Sequence, residues 1–219
     1  MDRRDNRIIV YGAGGHAKVL LATLQTRAEH HILGLLDDDG AKHGGAVRGY
    51  PILGGRELLP ALRDEGVSLA VLAVGYNSSR AALARMLKAN GFQPLTLVHP
   101  TAVVLPGSRI GSGTVVLPHA FVGGDACLGE NGIVSIQVIV GHDSRVGECV
   151  QLCPGVKLGG QSEVGDFSFL GMGAVVLPRV RVGQRTIVGA NAVVNRDLPD
   201  GVTAAGVPAR IMSRRTELP

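Results

Sequence analysis

A chain of 219 residues with 45% hydrophobic and 18% charged side chains has the make-up of one large or two ordinary globular domains, which excludes disorder, and its composition also excludes collagen. The 32 glycines come with a shortage of rings, four Phe, three Tyr and no Trp, so the core packs without large aromatics. A net charge of +4 brings neither a long Lys/Arg run nor interleaved aromatics, which argues against nucleic acid, and the lack of any run of 18 apolar residues argues against membrane insertion.

Residues 1–7 are densely charged and lead into RIIVY at 7–11, a short buried strand too brief for the apolar region of a signal peptide. The three cysteines are an odd number, and Cys149 and Cys153 have no histidine nearby to complete a metal set. Reduced thiols and a cytoplasmic location are therefore expected. A glycine turn at 12–15 is followed by a helix at 16–27 with Val19, Leu20 and Leu24 on one face. A second strand at 32–36 ends on Asp37, Asp38 and Asp39. A helix at 57–65, a strand at 68–74 and a helix at 79–90 complete an alternation that predicts a small parallel α/β sheet over residues 1–97. Residues 95–98 read as both its last strand and the entry to the second half of the chain.

The turn, GAGGHA at 12–17, fits the G-x-G-x-x-G/A form between a strand and a helix, with acids about twenty positions on. Gly12, Gly14 and Gly15 would bring backbone N–H groups to a phosphate, with His16 opening the helix and Asp37 and Asp38 as the acidic partners. The region holds only about one mononucleotide-binding half, so a mononucleotide-linked ligand fits better than NAD. A purely structural tight turn is the alternative, and a capping or solvent-exposed role is the alternative for His16.

From Val98 onward the chain repeats every six residues. Val, Leu or Ile fills all seventeen positions from 98 to 194, glycine comes next in ten of them, and the fifth place is small or Val in all but Leu198. Helices need spacings of three and four and plain strands a spacing of two, so neither explains a strict six. The pattern resembles the left-handed parallel β-helix of the hexapeptide-repeat acyltransferases, in which three hexads make one 18-residue triangular coil. That resemblance implies five to six coils over residues 98–199, about 27 Å tall at the usual strand spacing, with glycine easing the bends and a C-terminal extension at 200–219. The expected fold is thus a small Rossmann-like α/β domain and, after it, a left-handed β-helix.

Residues 18 apart stack on successive coils. His142 holds a third hexad place, and the only glycines in third places are Gly124 and Gly160, 18 before and 18 after it. The column Pro106, Gly124, His142, Gly160, Pro178 predicts an imidazole in a furrow; the alternative is an exposed polar residue on a glycine-rich repeat. Asp143 is its immediate neighbour and Glu148 comes six residues later, and a carboxylate beside a histidine fixes its tautomer as a general base requires. No histidine occurs after residue 142, so the ligand cluster of a zinc-dependent carbonic anhydrase on the same fold is missing and no metal is expected. Seven arginines against two acids over 179–215 suit the phosphates of coenzyme A or a solvated basic face.

GAGGHAKV at 12–19, LLDDD at 35–39, the hexads, GHDS at 141–144 and GVPARIM at 206–212 together resemble the bacterial nucleotide-sugar acetyltransferases: the bacillosamine and perosamine N-acetyltransferases and the sialic-acid-pathway O-acetyltransferases. The resemblance implies a homotrimer for surface-glycan synthesis, with a UDP- or GDP-linked amino sugar held by the glycine turn and the Asp37/Asp38 pair, and acetyl-CoA along the β-helix. It makes His142 the general base, Asp143 its orienting group and the Gly160 N–H the oxyanion donor, with Met172, Gly173 and Ala190 along the coenzyme groove. Gln151 stands where many members carry a second histidine, and Ser135 where many carry Asn. Gln151 can donate a hydrogen bond to a carbonyl but cannot titrate, which leaves amine and hydroxyl acceptors both open.

Overall fold

The structure, a computed structural model, describes residues 6–27 and 29–214. The charged residues 1–5, and Arg215 of the basic C-terminal stretch, lie outside these. The chain divides into two compact units between Thr96 and Leu97.

The first unit is built on β1 (Arg7–Tyr11), whose Ile8, Ile9 and Val10 are fully buried, as befits a central parallel strand covered on both faces. After it come α1 (Gly15–Gln25), β2 (His31–Leu36), β3 (Ala46–Val47), β4 (Tyr50–Gly54), α2 (Leu59–Asp64), β5 (Leu69–Leu72), α3 (Asn77–Ala89) and β6 (Gln93–Pro94). The sheet order is β3-β4-β2-β1-β5-β6, parallel throughout except for β3 against β4. The three strands and three helices expected from periodicity are present. The expected strand at 95–98 is not one strand: the Leu95 N–H bonds to Ala70 in the first sheet, whereas Leu97 bonds to Thr114 and pairs in the second unit. Among the described residues no helix is long and apolar enough to cross a membrane.

In the second unit two-residue strands recur every six residues and pair in parallel with partners 18 residues on, as Val115 does with Ile133 and Val116 with Val134. Three stacked sheets result. The first face begins at Leu97–Val98, the second at Val103–Val104 and the third at Arg109–Ile110. Every hexad aliphatic from Val116 to Val194 is buried, while Val98, Val104 and Ile110 on the first coil are only partly covered. The fifth places are small because they turn inward too. Where they carry hydroxyls, these bond to the stack's own carbonyls, as Ser144 does to Gly159 (3.0 Å) and Ser168 to Gly183 (2.8 Å). The last coil is two residues short, Val188 pairing with Ala204, and Val202–Ala205 then folds back antiparallel to Arg210–Arg214.

The glycines do not ease the bends as expected. The residue that turns each corner with positive φ is the fourth of the hexad, and from 107 to 191 it is glycine at only four of fifteen places, the others including Asp, Asn, Gln, Cys, Phe and Arg. The ten second-place glycines serve close approach instead. A Cβ on Gly111 would lie 2.5 Å from the Gly129 carbonyl carbon, and one on Gly141 would lie 2.6 Å from the Gly160 nitrogen. At these places each coil can rest on the next because the side chain is missing.

Candidate active site

His142 comes just after the second-face strand Ile139–Val140, on the edge between the second and third faces. Its backbone is pinned on both sides: the Asp143 N–H donates to the Gly124 carbonyl (3.0 Å) and the His142 carbonyl accepts from Gln161 (2.8 Å). Asp143 occupies a corner place with φ 58, which aspartate tolerates better than most residues. The left-handed turn folds its carboxylate back onto the ring, Oδ2 lying 2.7 Å from His142 Nδ1. With Nδ1 protonated toward the carboxylate, Nε2 carries the lone pair. The side chain is 69% exposed, so that nitrogen can meet a ligand.

The ring leans over Gly160. A Cβ there would meet Nε2, and would lie 2.7 Å from Cε1 and 2.9 Å from Cδ2. Gly124, the other glycine of the column, has no such role, because a Cβ on it would meet only the Pro106 carbonyl oxygen at 3.4 Å. The furrow is therefore one-sided. The Gly160 N–H has no hydrogen-bond partner among the described residues and lies beside the ring, as a donor to an oxyanion would have to. Glu148 does not join this group; it turns the next edge, where its N–H donates to Asp166.

Met172, Gly173 and Ala190 come together on another edge, between the first and second faces, where Met172 is 60% exposed and Gly173 turns with φ 68. Ser135 lies on this same edge. Gln151 stands on the first face itself, between Ile133 and Phe169, its amide 3.9 Å from Cys153 Sγ. Burial pushes the Cys153 thiol up to about 11, so it is no nucleophile near neutral pH. Arg179, Arg181, Arg185 and Arg196 lie on the third face and its edges, Arg179 bonded to Gln161 (2.8 Å) and Arg185 over the Phe167 ring (4.9 Å), whereas Arg210 and Arg214 lie on the last strand of the first-face sheet. Among the described residues no three metal-ligating side chains cluster.

In the first unit Gly12 has φ 106, and a Cβ there would lie 2.7 Å from the Ala73 carbonyl oxygen, so only glycine fits. Gly14 and Gly15 face open space. Helix α1 has no side-chain cap and no acid in its first turn, which leaves its first N–H groups and positive dipole end available. His16 Nε2 is buried without a partner, and burial, then the nearby Arg80 charge, pulls its pKa down to about 4, so the ring is neutral. Burial acts to raise the Asp37 pKa, but the N–H groups of Ala13 (2.7 Å) and Asp39 (3.0 Å) and the Lys42 ammonium (3.0 Å) outweigh it and hold it low. Asp38 is brought down to about 2 by Arg56, against the effect of burial, with help from the Tyr11 hydroxyl (2.6 Å). Both carboxylates are thus ionised and fixed at the end of β2. Lys42 and Arg56 carry no motif that announces these pairings in the sequence.

The model of the PglD N-terminal domain matches residues 7–87, and that of the bacterial transferase hexapeptide (six repeats) matches residues 161–196. Perosamine N-acetyltransferase from Caulobacter crescentus, solved with CoA and GDP-perosamine, is 40% identical, with 94% of this chain and 97% of that chain covered and a TM-score of 0.89. The chain belongs to the nucleotide-sugar acetyltransferases of the hexapeptide-repeat family. Its β-helix is accordingly left-handed, behind a Rossmann-like α/β domain. Another member of this acetyltransferase family, the acetyltransferase domain of PglB from Neisseria gonorrhoeae in complex with acetyl coenzyme A, is 34% identical over 95% of this chain and all of that one, with a TM-score of 0.88. UDP-N-acetylbacillosamine N-acetyltransferase of Bacillus subtilis (strain 168) is 36% identical over 112 residues; this match spans half of each chain. The Caulobacter enzyme has also been solved with one histidine replaced by asparagine or by alanine.

Proposed function

We propose that this acetyltransferase moves the acetyl group of acetyl-CoA to the amine of a nucleotide-linked amino sugar, with His142 as general base. The observation that carries the reading is the His142 ring itself, clamped through Nδ1 by Asp143 and seated on Gly160, with Nε2 the ring atom nearest that glycine. As the amine nitrogen attacks the thioester carbonyl, Nε2 takes its proton and the Gly160 N–H meets the developing oxyanion. The C–S bond then breaks, the imidazolium returns the proton to the sulfur, and amide and CoA thiol leave. No acyl-enzyme is invoked, because no cysteine lies in the His142 column.

The diphosphate would lie on the N–H groups of Gly14 and Gly15, with His16 beside it and Asp37 and Asp38 toward the ribose, as in other glycine turns of this form. Met172, Gly173, Ala190 and Gln151 are the proposed coenzyme contacts. The edge carrying Met172 and the edge carrying His142 bound the same second face, whose outward row is Val103, Phe121, Ile139, Lys157, Val175 and Val193. Five of these six are apolar, and Val103 and Ile139 are exposed, which suits packing against a second copy. Such packing could set the His142 edge of one prism beside the Met172 edge of another, so the homotrimer is part of the proposal. We assign it to cytoplasmic synthesis of surface-glycan precursors, a reading supported by the GDP-perosamine bound to the Caulobacter relative.

The test is release of CoA thiol from acetyl-CoA with UDP- and GDP-linked 4-amino sugars. Turnover with one of them, falling about 10²-fold or more in His142→Ala with the same oligomeric state, is the expected result. Turnover near that of the parent in His142→Ala removes the histidine as base. Nucleotide-sugar binding without any turnover would make the chain a binding protein on an enzyme's frame.

A further inference from the structure

The strand order of the first sheet reverses at β1, with β2 on one side and β5 on the other. Ligands of open parallel sheets settle outside the carboxyl ends of the strands at such a point. Two loops meet there. The Ala73 N–H donates to the Tyr11 carbonyl (2.7 Å), and the Gly12 N–H donates to the Leu36 carbonyl (2.7 Å). The loop after β5 is braced from below by Arg80, a guanidinium only 1% exposed. It donates to the carbonyls of Val74 (3.2 Å) and Gly75 (2.7 Å) and to Asn77 Oδ1 (2.8 Å), while its N–H donates to the Tyr76 carbonyl (2.8 Å).

On this braced loop Tyr76 is 82% exposed, more than any other large apolar side chain among the described residues. A tyrosine on a fixed backbone offers wide contact area with only two side-chain torsions to immobilise. Direction decides what it would contact. Asp37 and Asp38 end β2, across β1 from this loop, so a ligand with its ribose at the acids and its phosphates at the glycine turn extends toward β5. Its glycosyl end then arrives over Tyr76.

We infer that Tyr76 is the platform for the sugar ring of the nucleotide-linked substrate, its aromatic face against the C–H face of the pyranose and its hydroxyl toward the wet side. The inference rests on the proposed nucleotide-sugar function. The site accordingly favours a glycosylated nucleotide over the bare diphosphate. Calorimetric titration of the full chain with UDP, GDP and the UDP- and GDP-linked 4-amino sugars tests both layers separately. Tyr76→Ala is expected to weaken binding of the nucleotide sugar about tenfold, while binding of the bare diphosphate and the KM for acetyl-CoA stay within about twofold. Tyr76→Phe should bind like the parent. Equal weakening of the bare diphosphate would put the ring under the base and overturn the inference, as would unchanged sugar binding in Tyr76→Ala. A parent chain that binds neither class overturns the nucleotide-sugar reading itself, and a melting profile common to all three chains confirms that folding is not the variable.

Discussion

Adding one methyl group at Gly160 sets the position of the base against the integrity of the fold. In Gly160→Ala the new Cβ would stand 2.7 Å from His142 Cε1 and 2.9 Å from Cδ2, where carbon atoms pack at about 3.5–4.0 Å. The ring must retreat by about 1 Å. Because the side chain is 69% exposed, it can do so into solvent, and the stability change should stay within about 1 kcal/mol. The chemistry is less tolerant. A shift of about 1 Å from the present 2.7 Å takes Nδ1 out of hydrogen-bond reach of Asp143 and carries Nε2 off its line. Misplacement on that scale costs about 10²-fold in turnover. Gly124→Ala is the matched control, since a Cβ there meets no atom of His142, and its turnover should remain within about threefold of the parent. Steady-state thiol release with saturating acetyl-CoA, together with thermal melts, reads both quantities. A Gly160→Ala enzyme as fast as Gly124→Ala would refute the idea that this contact seats the base.

Asp143→Asn keeps the shape of the pair but lets the amide donate to Nδ1, which favours the tautomer with no lone pair on Nε2; kcat should fall at least tenfold with little change in KM, as pH-dependent turnover will show. His16 has a native pKa of about 4 against about 6.5 when unfolded, so the unfolded chain binds the extra proton between those values and stability falls as pH drops from 6.5 to 4, by up to about 1.4 kcal/mol per pH unit; urea unfolding of His16→Gln across that window should show a shallower slope. Asp38, lowered to about 2, contributes stability above its ordinary range that is lost as pH falls through about 4 toward 2, so Asp38→Asn should flatten the unfolding profile below pH 4. In native chain at pH 8, iodoacetamide should label Cys127 and spare the buried Cys149 and Cys153, with turnover preserved; mass spectrometry of the labelled peptides checks this, and modified Cys153 in folded protein would contradict its placement.

The period of six was enough to place the rungs of the β-helix up to Val193–Val194 and to single out His142, because stacking at 18 residues is arithmetic; the shortened last coil lies outside it. What the same arithmetic could not supply was the direction in which a ring leans, and so Gly124 and Gly160 read as equals when only Gly160 touches it. The role of the second-place glycines is hidden for a related reason: crowding between coils is a distance, and a sequence carries only spacing. In the α/β unit, β3 and β4 escaped notice because Pro51 and glycines interrupt so short a run, and β6 because it ends on Pro94. Arg80 sits in a helix with the look of a surface charge, and nothing in its neighbours announces that it is buried under the loop that carries Tyr76.

The coils make nearest-neighbour contacts, so the prism should open as a stack does, rung by rung from its ends. The first coil, with Val103, Val104 and Leu105 exposed, is the place where such fraying starts, and the shortened last coil is the other. His142 lies near the middle, with whole coils on either side. Its amide neighbours should therefore be among the slowest in the unit to exchange with deuterium, leaving the base in register through openings that undo the rungs above and below.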